Sequence, residues 1–110
     1  MIICIAGPYS AETEEQRVKN LEVLNQAAAA VLSKGHTPVV GVNAALPVLE
    51  FYKGDRYEAI MRISMAVTGV CDAVLLLAES PGANKERDRI VSAGKPVFFS
   101  LDEITEQKDN

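Results

Sequence analysis

Two unbroken apolar runs set the terms on which this chain can fold. Ile2-Ile3-Cys4-Ile5-Ala6 ends at Gly7-Pro8, and Ala73-Val74-Leu75-Leu76-Leu77-Ala78 runs into Glu79-Ser80-Pro81-Gly82. A strand with one wet face alternates polar and apolar residues, and neither run does. Both therefore read as strands buried on both faces, the condition of a parallel sheet held between helices. The longer run is far short of the ~20 apolar residues a bilayer crossing needs. The start, Met1 to Ala6, lacks the basic leader of a secretion signal.

Helical patterns lie between the runs. Thr13, with Gln16 three residues on, reads as a capping box. Val18, Leu21, Leu24, Ala28, Val31 and Leu32 then recur at helical spacing until Gly35 stops the helix. Thr37 to Val40 is a short second strand, followed by a loop through Pro47 and Gly54. A helix from about Arg56 carries Ile60, Ile63, Met65 and Val67 up to Gly69. Ser80-Pro81-Gly82 turns into another helix, which runs to about Ala93 and ends at Gly94. Pro96 to Ser100 is the last strand, and Asp102 begins a short terminal helix that frays after Thr105. Strands alternating with helices predict an α/β fold: a doubly wound, flavodoxin-like or Rossmann-like parallel sheet of four strands, order 2-1-3-4, with helices on both faces. At 110 residues, 48% of them apolar, a single domain over residues 1–110 is expected, and the hydrophobicity is too high for disorder.

Fifteen acidic side chains against eleven basic ones give a net charge of −4. A groove for a nucleic acid polymer depends on Lys and Arg displacing counterions, so that partner is not expected, nor is a membrane. A small anionic ligand is still compatible with the charge, because backbone amides at a helix start hold anions without net positive charge. Cys4 and Cys71 sit in apolar stretches without a CxxC pair and read as buried thiols of a cytoplasmic protein. With one histidine and no ligand cluster, neither a metal nor a cofactor is expected.

In the order 2-1-3-4 the chain leaves the first and third strands in opposite directions, and a crevice opens beyond their carboxyl ends. Two loops line it: Gly7-Pro8-Tyr9-Ser10 and Glu79-Ser80-Pro81-Gly82. Gly82 and Ala83 start a helix there, so free amides point into the crevice, and Ser80 reads as its N-cap, an anion ligand, or both. Glu86 lies one turn in, where the helix dipole favours a carboxylate; as an ordinary first-turn acid it would pair with Arg87 or Arg89. Tyr9 is placed either to reach across towards Glu86 or simply to line a loop. His36 reads as a turn residue at the far, amino end of the sheet, and Asp72 as a cap there. Lys85-Glu86-Arg87-Asp88-Arg89 by itself is an ordinary solvated face.

These residues also fit a known pattern. Ile5-Ala6-Gly7-Pro8-Tyr9-Ser10, Gly35-His36, Cys71-Asp72-Ala73-Val74, Ser80-Pro81-Gly82-Ala83-Asn84-Lys85-Glu86 and Gly94-Lys95-Pro96-Val97 occur in the order and spacing of the nucleoside 2-deoxyribosyltransferase superfamily. The chain resembles that superfamily, which includes the 2′-deoxynucleoside 5′-phosphate N-hydrolases, over about residues 2 to 100. The resemblance implies Glu86 as nucleophile and Tyr9 as the residue that orients it. It implies Ser80, with the amides of Gly82 and Ala83, as the contact for a 5′-phosphate, and Asn43 as a crevice residue; Gly7 and Ser10 belong to the first loop. It further implies a small-molecule nucleoside or nucleotide as ligand and a homodimer or homotetramer whose neighbours complete the pocket. One position departs: Ser64 stands where relatives carry the aspartate that handles the leaving base. Glu79 is the acid nearest by position to replace it, with Asp55 and Glu58 as others if their loop folds over the crevice.

The expected activity is that of an N-glycosidase acting on a nucleoside or nucleoside 5′-monophosphate. A 2-deoxyribosyltransferase and a nucleotide-binding protein without turnover are its alternatives. A third reading is a structural subunit whose apolar loop, Ala44 to Phe51, packs on a partner.

Overall fold

The computed structural model describes residues 1–107. In chain order its elements are β1 (Ile2–Ala6), α1 (Glu14–Ser33), β2 (Thr37–Val39), α2 (Gly41–Leu49), α3 (Arg56–Thr68), β3 (Ala73–Leu76), α4 (Pro81–Ser92) and β4 (Val97–Phe98), then a 3-10 turn at Leu101–Glu103. The four strands form one parallel sheet in the order β2-β1-β3-β4. The central pair sets Ile3 against Ala73 and Ala6 against Leu76.

Because side chains alternate across a strand, each central strand feeds two cores. Ile3, Ile5, Ala73 and Leu75 pack with Leu24, Ala27 and Val31 of α1, Val42 and Ala45 of α2 and Ile60 of α3. Cys4, Ala6, Val74 and Leu76 face the other way, onto Ala83 and Ile90 of α4. Helices thus cover both faces, and unbroken apolarity in β1 and β3 is what that burial requires.

Several local expectations are corrected. The segment through Pro47, read as a loop, is helix α2. Val42, Ala45 and Leu49 are buried at helical spacing, and that burial outweighs the one ladder bond that Pro47, without an amide proton, cannot make. The apolar stretch Ala44 to Phe51 is therefore mostly part of the fold's own layer, although Val48 and Phe51 remain exposed. Val18 and Leu32 of α1 face solvent, and Ala27 is buried in their stead. Thr13 Oγ1 accepts from the Gln16 amide at 3.1 Å, but the Gln16 side chain donates to Asn20, so only half of the capping box forms. The last strand is two residues long, and the terminal helix is one 3-10 turn.

Gly35 ends α1 with φ +88°, and a Cβ there would lie 2.2 Å from the Gln107 carbonyl oxygen. Only glycine fits both demands. His36 is more than a turn residue: Nε2 donates to the Thr105 carbonyl at 2.7 Å, which leaves Nδ1 to accept from the Met1 ammonium at 3.1 Å. Asp72 accepts from the Ile2 amide at 2.7 Å. Both groups fasten the amino edge of the sheet, remote from the crevice.

Candidate active site

Beyond the carboxyl ends of β1 and β3 lies a hollow of about 300 Å³. Its walls come from four stretches of chain. Gly7 to Ser10 follow β1, Val42 comes from α2, and Ser80 to Ala83 with Glu86 come from the start of α4. Helix α3 supplies the fourth wall through Tyr57, Ile60, Met61 and Ser64, which share one helical face. Sequence reasoning passed over Tyr57 and Met61, although their spacing against Ile60 and Ser64 carries the signal.

Glu86 lines this hollow yet is 8% exposed. Its Oε2 accepts from the Cys4 thiol at 3.1 Å and from the Thr68 hydroxyl at 3.2 Å. Among the described residues Oε1 has no hydrogen-bond partner, so one carboxyl oxygen is anchored and the other is unengaged. Burial raises the Glu86 pKa above the ordinary carboxyl value, and the bonds from Cys4 and Thr68 oppose that rise. The expectation of a dipole-stabilised carboxylate is thereby corrected: the group lies past the first turn, where the dipole has faded, and desolvation dominates. Cys4 remains a thiol, because neighbouring Cys71, burial and the charge on Glu86 all push its ionisation up. Both cysteines are free and buried.

Neither arginine clamps Glu86. Arg87 pairs with Glu79 at 3.2 Å and with Asp88 at 3.1 Å, and Arg89 lies against Gly69. Tyr9 shares the hollow with Glu86 but makes no hydrogen bond to it; Cys4 and Thr68 occupy that role in the structure. Ser80 caps α4, its Oγ accepting from the Ala83 amide at 3.1 Å. That bond already uses the Ala83 donor expected to hold an anion. Asn43 is corrected outright: its side chain donates to Asn25 at 2.6 Å on an exposed face, and it does not line the hollow.

Ser64 is 2% exposed, and its hydroxyl has no hydrogen-bond partner. It sits where α2 and α3 touch: a Cβ on Gly41 would stand 2.7 Å from Ser64 Oγ and 2.8 Å from its Cα. None of the three acids named as substitutes lines the hollow. Glu79 is exposed and paired with Arg87, Asp55 caps α3 by accepting from the Glu58 amide at 2.8 Å, and Glu58 is exposed. Among the described residues, Glu86 is the hollow's one carboxyl group. The described residues contain no cluster of three metal-ligating side chains, and no helix among them is long and apolar enough to cross a membrane.

The arrangement can present one carboxylate, in a mostly apolar and aromatic cleft, to a small molecule that fits between α3 and the start of α4. Residues 1–99 match the model of a family described as Domain of unknown function (DUF4406). No curated protein matches the chain. A solved structure of a 2-deoxyribosyltransferase from the psychrotolerant bacterium Bacillus psychrosaccharolyticus superposes with a TM-score of 0.61, covering 100% of this chain and 77% of that one. At 19% identity the likeness is one of fold.

Proposed function

The chain belongs to the DUF4406 family, and from that starting point we propose that it is an N-glycosidase acting on nucleosides or nucleoside 5′-monophosphates, with Glu86 as nucleophile. The observation that carries this reading is the state of Glu86: buried, held at one oxygen by Cys4 and Thr68, unpaired with any arginine, and bordering a hollow. A solvated acid on a charged helix face has none of these features. The fold shared with a 2-deoxyribosyltransferase, whose published description concerns the synthesis of nucleosides, supports the substrate class. Tyr9 and Tyr57 offer flat apolar surface for a planar base.

In the proposed reaction Glu86 Oε1 attacks the anomeric carbon. The C1′–N bond breaks, its electron pair leaves with the base, and the base takes a proton from water, leaving hydroxide. That hydroxide then attacks the anomeric carbon of the glycosyl ester, the bond to Glu86 Oε1 breaks, and the sugar is released with the carboxylate restored. Transfer to a second base in place of water is the deoxyribosyltransferase variant of the same chemistry. Retaining glycosidases ordinarily supply a second carboxyl as proton donor, and among the described residues this hollow has none. That observation favours one other reading, a nucleotide-binding protein without turnover.

Incubating the protein with a panel of nucleosides and 5′-monophosphates and assaying free base separates these readings. Release that disappears in a folded Glu86→Gln variant supports the glycosidase, and release unchanged by it refutes the nucleophile. Tight binding with no base formed on prolonged incubation favours the binder. A new nucleoside formed when a second base is supplied identifies the transferase.

A further inference from the structure

Among the described residues no cationic side chain lines the hollow that holds Glu86, Lys85 standing over the Tyr57 ring at 5.7 Å without reaching the lining, which is a poor match to a phosphorylated ligand. Directly beside it lies a second hollow of about 250 Å³, which shares Tyr9, Ser10, Tyr57 and Ile60 with the first and adds Arg17 and Arg56. We infer that this outer hollow binds the phosphate-bearing arm of the ligand between the Arg17 and Arg56 guanidinium groups, while the nucleoside occupies the inner one. The identity of the arm's carrier rests on the nucleoside reading above; the anion site itself does not.

Two independent observations converge here. The first is charge. In a chain with net charge −4, acids are plentiful, yet among the described residues no carboxylate lies within 4.0 Å of either guanidinium. Of the acids close to them in sequence, Glu15 pairs with Lys19 and Asp55 caps α3 through the Glu58 amide, while Glu12, Glu14 and Glu58 stay exposed without pairing to either arginine. Two like charges facing one hollow repel each other, and an anion between them removes that cost. The second is placement. Arg17 is half-buried and fixed by a bond from Nη1 to the Ala11 carbonyl at 2.8 Å, within the same post-β1 stretch that carries Tyr9 and Ser10. Arg56 opens α3, and among the described residues its side chain makes no hydrogen bond or ion pair. One guanidinium is thus preset and the other is free to close on a ligand, and planar forks of this kind suit phosphate oxygens.

This assignment moves the phosphate away from Ser80 and Ala83, whose hydroxyl and amide are bonded to each other. With both hollows used, the site reaches a size typical of small-molecule pockets.

Isothermal titration of the intact protein with 2′-deoxynucleosides, their 5′-monophosphates and their 5′-diphosphates tests the inference, with inorganic phosphate and pyrophosphate as probes of the anion site alone. Arg56→Gln, at an exposed helix start, is expected to weaken binding of the phosphorylated members about tenfold, the scale of a charge-assisted hydrogen bond, and to leave the nucleosides unchanged. Arg17→Gln is the second variant. Circular dichroism of both establishes that they fold. Equal affinity for nucleosides and nucleotides, or no binding of any phosphorylated probe, overturns the assignment. A phosphate preference that survives both arginine variants and falls in Ser80→Ala also overturns it, returning the anion to α4. The two proposals fail separately. Arginine-dependent phosphate binding with no base release leaves this site standing and removes the glycosidase. Base release equal for nucleoside and nucleotide, and unmoved by Arg56→Gln, does the reverse.

Discussion

Replacing Thr68 by valine removes a hydroxyl without changing the shape of the side chain and isolates what holds Glu86 ready. The hydroxyl donates to Glu86 Oε2 at 3.2 Å, but it has a single proton and also reaches the Ser64 carbonyl at 2.7 Å. A hydrogen bond to a charged acceptor contributes about 1.5–3 kcal/mol. The shared proton and the longer distance put this one at the lower end, about 1.5 kcal/mol, or about tenfold in an equilibrium. Because this bond favours the ionised carboxyl, its loss raises the Glu86 pKa further. Base release on the acidic limb of the pH–rate profile is therefore expected to fall about tenfold in Thr68→Val, with that limb displaced to higher pH and the alkaline plateau recovered. Carbon-13 NMR of the Glu86 side-chain carboxyl follows the same titration without requiring turnover. A limb that stays in place refutes the assigned role of Thr68. An equal loss at every pH assigns the effect to structure and not to ionisation.

Three further outcomes follow from the same contacts. Burial raises the Glu86 pKa in the folded chain, so its contribution to stability is fully present below the ordinary carboxyl value and is lost as pH rises through the folded one. Glu86→Gln is expected to match the parent in Tm near pH 4 and to exceed it at neutral pH; a gap that does not widen with pH contradicts the buried charge. Gly41→Ala drives a methyl to within 2.8 Å of the Ser64 Cα, where backbone must move. A loss of about 1–3 kcal/mol in denaturant unfolding is expected, and a neutral result refutes the close approach of α2 to α3. Ser64→Asp places a carboxyl in the hollow where a proton donor is lacking. If protonation of the leaving base limits turnover, release rises by about 10²–10⁴-fold, and no rise counts against a latent glycosidase.

Much of the architecture was legible because β1 and β3 are apolar on both faces, a pattern with few solutions besides a covered parallel sheet. Glycine at the end of α1 and Ser80-Pro81 at the start of α4 marked their boundaries through local backbone chemistry. Helix α2 escaped because Pro47 argues against a helix locally, whereas burial of Val42, Ala45 and Leu49 against the sheet outweighs that preference. The hollow was placed by topology alone, and most residues expected around it do line it. Asn43 does not, because a residue just past β2 turns with α2 towards Asn25.

The electrostatic character of Glu86 was not available from its neighbours in sequence. Read locally, it is an acid in a charged run, Lys85 to Arg89, with two arginines at hand. Folding brings Cys4, 82 positions away, and Thr68, 18 away, to one of its oxygens and removes it from water. Periodicity and turn chemistry act over a few residues and so determined the strands, their order and every long helix but α2. Desolvation and hydrogen-bond donors belong to groups that meet only when β1, α3 and α4 converge, and that meeting alone decided what state the carboxyl group is in.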